Sequence, residues 1–219
     1  MRSSVSGDGD SLKSPANHLL FRDIFVTGSE PERMPGPIVE ATDRVALRTL
    51  ESEDIEFLQQ AYTNPAVRYP LGAPIKTRPQ LREWIENDET DRFIITEQLT
   101  EDEATADAEP TPIGVVTVAD ASWRRPELTY WISPHRQNEG LGTAAVALTI
   151  SHVFRAQSVP AVGAVAYDFN DASKRLLESL GFSIEGRVRK ERFVDGAYRD
   201  TIVYGLLREE WVDHDRPEY

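Results

Sequence analysis

Residues 136–146 have the sequence RQNEGLGTAAV, and its glycines allow two interpretations. Gly140, Gly142 and Ala145 match the dinucleotide-binding pattern G-x-G-x-x-A. Gln137, Gly140 and Gly142 instead match a shorter loop, Q-x-x-G-x-G. In both, the glycines let the main chain approach a ligand closely, and the free amides that open the next helix attract an anion. A third possibility is that the glycines only shape a strand-to-helix turn.

The surrounding sequence argues against the dinucleotide interpretation. In that fold the first glycine follows directly from a strand, because the turn itself holds the pyrophosphate. Here residues 133–139 separate Gly140 from the preceding predicted strand, which ends at Ile132 and is the fourth in the chain. Asp168 closes the next predicted strand, about where the dinucleotide-binding fold carries its ribose-binding carboxylate. This agreement does not change the position of Gly140, which lies too far from the preceding strand.

Composition excludes several classes of protein. The 219 residues, 40% of them hydrophobic, suffice for one domain with a full core. There is no cysteine, so disulfides, thiolate zinc sites and a cysteine nucleophile are excluded. The four histidines have no metal-ligand spacing, so we expect no metal. No apolar run approaches the roughly 20 residues of a membrane span, and no signal peptide is visible. We therefore expect a cytoplasmic protein that does not bind a membrane.

The formal charge of −13 excludes the basic surface that a nucleic-acid backbone requires. Only four of the 24 basic residues are lysines (Lys13, Lys76, Lys174 and Lys190). We interpret this acidic, lysine-poor composition first as halophilic, an adaptation to high internal salt. The alternative is electrostatic steering of a cationic acceptor, which salt near 1 M would screen beyond roughly 3 Å.

Local patterns divide the chain into a flexible N-terminal tail (1–36), one domain (37–212) and a C-terminal tail (213–219). An acidic low-complexity loop lies at 98–111. Met34, the second methionine, offers an alternative start. Strands are predicted at 45–50, 92–96, 113–119, 127–132 and 161–167, helices at 51–62, 78–87, 139–157 and 171–180, and a hairpin around Asp195-Gly196. This order predicts an α/β (α+β mixed) sheet with an antiparallel meander, one central βαβ crossover and a C-terminal hairpin.

Several short motifs then follow in a fixed order. They are Val45–Leu50 with Glu53 and Asp54, Tyr130-Trp131-Ile132 with Pro134, the Q-x-x-G-x-G loop, Asn170 and Ser173 in N-x-x-S spacing, Leu180-Gly181-Phe182, Gly186, and DGAYRD at 195–200. Over residues 38–212 their order and spacing resemble the GNAT N-acetyltransferase superfamily. Within it, they are similar to the RimJ/RimL-like subgroup, which modifies ribosomal-protein N-termini.

The resemblance implies a GNAT-type acyl-CoA N-acyltransferase fold and no cofactor besides acetyl-CoA as co-substrate. It implies a primary amine as acceptor, with the α-amine of a ribosomal or other protein N-terminus favoured. The pyrophosphate is expected on the loop amides and the pantetheine arm beside the strand that ends at Ile132, where two parallel strands separate. The implied cofactor-binding residues are Trp131, Ile132, Gln137, Asn138, Glu139, Gly140, Leu141, Gly142, Thr143, Asn170 and Ser173. For Asn170, a plain helix N-cap is an equal alternative.

Without a cysteine, direct attack of the amine in a ternary complex is preferred to a covalent acyl-enzyme. Strand alternation places Glu127 on the same face as Thr129 and Trp131, so Glu127 is our candidate base. A plain surface carboxylate is the alternative, and Glu191 is the second choice of base. His135 is interpreted as a turn residue. The expected oxyanion donor is a main-chain amide near Trp131 or Ile132.

The general acid is the open question. Many relatives carry a tyrosine seven residues after the motif asparagine, and that position here is Leu177. Ser173 is the candidate that the subgroup suggests, with close helix packing as its alternative role. Tyr167 is a further candidate, although a core tyrosine is the plainer interpretation. The Trp84 helix is expected near the acceptor.

Two other functions stay open at this point. The missing tyrosine motivates a non-catalytic CoA-binding regulatory module, and the acceptor of an enzyme could be a polyamine or an aminoglycoside. Either a monomer or a homodimer agrees with the sequence.

Overall fold

The computed structural model describes residues 36–86, 90–98, 110–119 and 125–211. Residues 1–35 of the predicted N-terminal tail and the whole predicted C-terminal tail (213–219) lie outside the described residues. Most of the predicted acidic loop lies outside them as well.

The described chain alternates strands with helices. The strands are β1 (Ile38–Ala41), β2 (Val45–Thr49), β3 (Thr90–Glu97), β4 (Pro112–Ala119), β5 (Glu127–Ile132), β6 (Ala161–Tyr167), β7 (Ser183–Val194) and β8 (Ala197–Leu207). The helices are α1 (Ile55–Thr63), α2 (Pro65–Leu71), α3 (Arg78–Glu86), α4 (Leu141–Ala156) and α5 (Asp171–Ser179). Short 3-10 helices occupy Ser52–Asp54, Pro134–Arg136 and Arg208–Glu210.

These eight strands form one mixed sheet in the order β1-β2-β3-β4-β5-β6-β8-β7. All neighbours are antiparallel except β5 and β6, which helix α4 connects as the crossover. The predicted meander, single βαβ crossover and C-terminal hairpin are thereby confirmed. The hairpin turns at Asp195 and Gly196, which both have the positive φ of a type I′ turn.

The helices cover the two faces of the sheet with separate cores. Helices α4 and α5 bury residues such as Val146, Ile150 and Leu177 against one face, together with Leu128 and Ile132 of β5. Helices α1 to α3 pack on the other face, where Trp131 of β5 belongs to their core. The alternation predicted for β5 is therefore confirmed. None of the described helices has the length and apolar character needed to cross a lipid bilayer.

Two elements are absent from the sequence-based assignment. Strand β1 is only four residues long, too short for a clear alternating pattern. Helix α2 contains two prolines, which usually argue against a helix. Pro65 occupies its first turn, where no amide partner is lost, and the side chain of Asn64 caps it by accepting from the Ala66 amide (3.0 Å). The Asn-Pro pair was the available signal.

The seam between β5 and β6 is the weakest join of the sheet. The two strands pair only at Glu127 with Gly163 and at Leu128 with Ala164. An ion pair crosses this seam, because Arg125 lies just before β5 and binds Glu185 of β7 (Nη1 to Oε1, 2.7 Å, and a second contact from Nη2).

Two glycines make room for this ion pair. Gly163 of β6 and Gly205 of β8 face each other in register. A methyl group on Gly163 would meet Arg125 Nε at 2.8 Å, and one on Gly205 would collide with both ionic side chains. The absence of side chains at these positions therefore lets Arg125 lie flat across two strands. Arg125 also donates to the main-chain oxygen of Tyr204 (3.2 Å).

We expect Glu185→Gln to lower the free energy of unfolding at neutral pH by at most about 1 kcal/mol, since the carboxylate is partly exposed to solvent. The hydrogen bond from Arg125 lowers the pKa of Glu185 below its ordinary 4.5. A lowered pKa stabilises the fold above the unfolded-state value, and that contribution is lost as pH falls through the folded-state value. Denaturant titrations at several pH values should therefore show the variant and the parent converging in acid. Glu191→Gln, an exposed carboxylate of the same strand, is the control, and an equal effect of the two variants would contradict this role.

Candidate active site

A gap opens in the sheet between residues 129–132 of β5 and residues 165–167 of β6. Beyond Leu128, β5 continues to pair with β4 and β6 continues to pair with β8, but the two no longer pair with each other. We call this opening the β5–β6 gap.

The main chain of β5 presents groups to the β5–β6 gap that no described neighbouring strand pairs. The Gly163 amide donates to the Pro126 oxygen (2.8 Å), whereas the Ser133 amide donates to Ile113 of β4 (2.7 Å). Because main-chain direction alternates along a strand, the groups of Tyr130 and Ile132 face the gap, and those of Trp131 face β4. Of the two amides expected as oxyanion donor, those of Trp131 and Ile132, only the Ile132 amide therefore faces the gap.

A cavity of about 600 Å³ fills the β5–β6 gap and extends to both faces of the sheet. It is lined by β5, by the loop that opens α4, by the end of β6, by the first turns of α5, by α2 and by Arg192 of β7. It brings together most of the predicted site, namely Glu127, Trp131, Ile132, Gln137, Asn138, Gly140, Gly142, Thr143, Asn170 and Ser173.

The glycine loop (residues 137–143) adopts a conformation that suits an anion. Gly140 is the N-cap of α4 in the left-handed region (φ 77°), and Asn138 has a φ of 65°. The amides of residues 141–143 open the helix and therefore have no intrahelical partner. Within the described chain no side chain caps them either. The N-terminal end of α4 therefore offers hydrogen-bond donors and a positive dipole end to the cavity.

Side chains hold the glycine loop from behind. Gln137 Nε2 donates to the Ile132 oxygen (2.9 Å), which fixes the loop to the end of β5. Arg44, the residue before β2, donates to the main-chain oxygen of Glu139 (2.6 Å). Arg136 binds Glu97 of β3 and the Glu139 carboxylate (3.2 Å).

Two predicted cofactor-binding residues do not line the cavity. Leu141 is buried in the core beneath α4, and the Glu139 carboxylate is directed to Arg136. At both positions only the main chain is available to a ligand, as expected of a loop that binds through amides.

Helix α5 begins where the sequence motif places it. Asn170 is its N-cap, because Asn170 Oδ1 accepts from the Ser173 amide (3.2 Å), so the N-cap interpretation is confirmed. The Asn170 amide group also donates to Ser173 Oγ (3.0 Å). Both residues line the cavity, so the cap and a binding role coexist.

The candidates for proton transfer occupy different parts of the cavity. Glu127 is exposed and lies where the β5–β6 gap closes, on the face covered by α1 to α3. Glu191 and His135 do not contribute to the lining. Ser173 reaches the cavity from the opposite face. Leu177, at the position of the family tyrosine, is fully buried in the core and has no access.

Two tyrosines also line the cavity. Tyr167 contacts Gly72 at the end of α2, and burial raises its pKa. Tyr130 was not predicted as a functional residue, although it stands inside the quoted Tyr-Trp-Ile motif. Burial raises the pKa of Tyr130 to about 12, and the neighbouring Ser173 hydroxyl lowers it by a smaller amount.

The side of the cavity beside α2 is apolar. Ala66, Val67, Pro70 and Leu71 line it, and Trp131 stacks on Phe57 beneath them (ring centroids 5.3 Å apart). Trp84 of α3 packs against Tyr62 and Arg92 and does not line the cavity. The position of the Trp84 helix near the acceptor stays a prediction.

Comparison with known proteins agrees with this geometry. Residues 44–183 match the family described as acetyltransferase (GNAT) domain. The spermidine N(1)-acetyltransferase of Escherichia coli K12 is 26% identical over 178 residues, covering 79% of this chain and 91% of that protein. The structure of the Vibrio cholerae spermidine N-acetyltransferase with CoA and spermine matches with a TM-score of 0.67 and 21% identity, over 77% of this chain and 98% of that one. The CoA complex of RimL, a ribosomal L7/L12 alpha-N-protein acetyltransferase, matches with a TM-score of 0.66 and 17% identity, over 82% and 100%.

The fold and the family match define the class of protein. The chain belongs to the GNAT family of acetyltransferases. It is an acetyl-CoA-dependent N-acetyltransferase with the mixed GNAT sheet, and the relatives include both polyamine and ribosomal-protein enzymes.

We expect Gly140→Ala to weaken CoA binding about tenfold. An alanine at φ 77° carries roughly 1–2 kcal/mol of strain, and the loop can relax this strain when it is free but must restore it when CoA is bound. Titration calorimetry with CoA measures the change. Gly196→Ala is the matched control, since Gly196 has nearly the same φ (76°) at the hairpin turn, remote from the cavity. Equal CoA affinity in the two variants would refute a role for the glycine loop in binding.

Proposed function

We propose that the protein transfers the acetyl group of acetyl-CoA to the α-amine of a protein N-terminus by direct attack in a ternary complex. The observation that carries the choice of acceptor is the charge of the cavity. Among its described lining residues Glu127 is the single carboxylate, whereas Arg175 and Arg192 are cationic and Arg136 is paired with Glu97 and Glu139.

A polyamine acceptor fits this charge poorly. Its remaining amino groups, like a lysine with a pKa of about 10.4, stay protonated when one amine is deprotonated to react. Each cation that leaves water requires a carboxylate partner, and Glu127 is already assigned to the reacting amine. A peptide N-terminus brings one ammonium group with a pKa of about 8. Its carbonyl oxygens can accept from the guanidinium of Arg192, which forms no ion pair with another described residue.

The donor is proposed to lie along the β5–β6 gap. The glycine loop would hold the pyrophosphate through its amides and the positive end of α4. The main-chain groups of Tyr130 and the Ile132 oxygen would pair with the amides of the pantetheine arm in strand fashion, which leaves the Ile132 amide for the oxyanion. Asn170 and Ser173 would then lie beside the thioester end.

The chemistry proceeds in one addition and one elimination. Glu127 takes a proton from the acceptor ammonium through a chain of water molecules, because about 16 Å of strand separates Glu127 from Ile132. The amine nitrogen then attacks the thioester carbon. The Ile132 amide stabilises the oxyanion of the tetrahedral intermediate. The C–S bond then breaks with its electron pair on sulfur, the nitrogen loses its second proton to water, and Ser173 donates a hydrogen bond to the leaving thiolate.

A polyamine is the second candidate acceptor. The net charge of −13 attracts cations, and the Escherichia coli relative at 26% identity is a spermidine acetyltransferase. The acceptor test below therefore includes spermidine.

We expect peptides with a free α-amine to exceed spermidine in kcat/KM by at least about tenfold, the cost of roughly one poorly compensated charge. CoA release, followed with a thiol reagent, measures turnover. An N-acetylated peptide that contains lysine is the control for ε-amine acetylation. A higher kcat/KM for spermidine would reject the proposed acceptor in favour of the second candidate.

We expect Glu127→Gln to lower kcat about 100-fold or more near neutral pH without changing CoA affinity, because a positioned base contributes roughly 10²–10⁴-fold. The deficit should shrink above the α-amine pKa of about 8, where the acceptor is already deprotonated. The pH profile of kcat for the variant and the parent measures both effects. Glu191→Gln serves as the control, and a parent-like neutral rate for Glu127→Gln would remove Glu127 from the mechanism.

A further inference from the structure

The hydroxyl of Tyr130 is a buried polar group of the cavity wall that the proposed mechanism leaves unused. Strand alternation directs this side chain to the face covered by α4 and α5, where it packs against their core. Its oxygen is buried, and within the described part of the chain it makes no hydrogen bond of standard geometry. Buried polar groups rarely lack a partner, so an unpartnered hydroxyl at a ligand cavity calls for an explanation.

Ser173 lines the same cavity as Tyr130, at the first turn of α5, close to this hydroxyl. The two are close enough for Ser173 to affect the ionisation of Tyr130, although their arrangement does not meet hydrogen-bond geometry without a ligand. Apo structures commonly show such contacts as long or misaligned, and they tighten when substrate binds.

Ser173 already has one fixed partner. Its Oγ accepts from Asn170 Nδ2 at 3.0 Å, and its main-chain amide is held by Asn170 Oδ1. A serine hydroxyl has two lone pairs and one proton. If Tyr130 donates to the second lone pair, both lone pairs are occupied, and the remaining proton of Ser173 is directed into the cavity.

We infer that Tyr130 is a positioning residue for the leaving group, acting through Ser173 to point the Ser173 proton at the sulfur of CoA. This inference rests on the proposed acetyl transfer and on Ser173 as the group beside the thioester.

The step balances without an additional reactant. As the tetrahedral intermediate collapses, the C–S bond breaks and its electron pair remains on sulfur. The Ser173 proton stays on oxygen and forms a hydrogen bond to the thiolate, and CoA takes up its own proton on release to solvent. A thiol with a pKa near 8.5 is an adequate leaving group, so stabilising its anion suffices.

The arrangement does not depend on a tyrosine at position 177. A tyrosine there could meet the sulfur directly, but Leu177 is fully buried in the core. Tyr130 reaches the same region from β5 instead of α5, one layer behind the hydroxyl of Ser173.

The test uses the thiol of bound CoA as its own probe, because the thiolate absorbs in the ultraviolet and no acceptor is needed. In the parent protein we expect the pKa of the bound thiol to lie below its ordinary value of about 8.5. Tyr130→Phe and Ser173→Ala should each raise it by about one unit, a tenfold change, since each removes roughly one hydrogen bond from the thiolate network. The double variant should match Ser173→Ala, because Tyr130 acts through Ser173.

Tyr204→Phe is the matched control. Tyr204 is also a buried tyrosine on the α5 face, its hydroxyl donates to Glu178 (3.2 Å), and it does not line the cavity. The charged lining residues Glu127, Arg136, Arg175 and Arg192 are unchanged in all variants. Ser173→Thr keeps a hydroxyl and should restore the parent value. Thermal unfolding checks that each variant is folded.

Steady-state kinetics gives the second readout. Tyr130→Phe should lower kcat about tenfold and leave the KM for acetyl-CoA within about twofold. An unchanged thiol pKa in Tyr130→Phe, or additive effects of the two substitutions, would overturn the positioning role. Absence of turnover in the parent with every amine would instead reject the proposed function, while the thiol titration would still decide the role of Tyr130.

Discussion

The short join between β5 and β6 is the constraint on which the site depends. A parallel pair that continued along both strands would satisfy the main-chain groups of Tyr130 and Ile132 and leave no cavity. A pair absent altogether would divide the sheet into two halves. Pairing at only two register positions, Glu127 with Gly163 and Leu128 with Ala164, lies between these two extremes. It joins the two halves of the sheet and leaves the gap open. The Arg125–Glu185 ion pair, laid over Gly163 and Gly205, adds a second connection where the ladder is shortest.

The glycine loop shows how side chains can prepare a main-chain binding surface. Gln137 and Arg44 both donate to carbonyl oxygens, those of Ile132 and Glu139. Donors directed at carbonyls fix the loop without consuming its amides. The helix start at Gly140 has no side-chain cap among the described residues, so the same amides face the cavity with their hydrogens available. Rigid support and unshared donors together suit a doubly charged pyrophosphate better than either alone.

Much of the fold was predictable from the sequence, but the site only in part. The apolar stripe of α4, the Asn170 cap and the Asp195-Gly196 turn carry local signals, and the structure confirms them. Helix α2 was missed because Pro65 and Pro70 hid a capped helix. The width of the β5–β6 gap has no local signal, because a strand that lacks a partner has the same side-chain pattern as a paired one. The Tyr130–Ser173 contact joins β5 to α5 across 43 positions of sequence, and no spacing rule predicts such a contact.

The two-residue period of β5 separates the proposed chemistry into two compartments. Glu127, Thr129 and Trp131 face α1 to α3, where an acceptor would enter beside α2, and Tyr130 faces α5 with Ser173. The main chain between them faces the gap, so in the proposed mechanism one strand would contribute the base, the oxyanion donor and the support of the leaving group in three directions. A proton would thus be removed from the amine on one face of the sheet, while the thiolate would be stabilised on the other. Because β5 is paired with β4 along its whole length, these directions are fixed before either substrate binds.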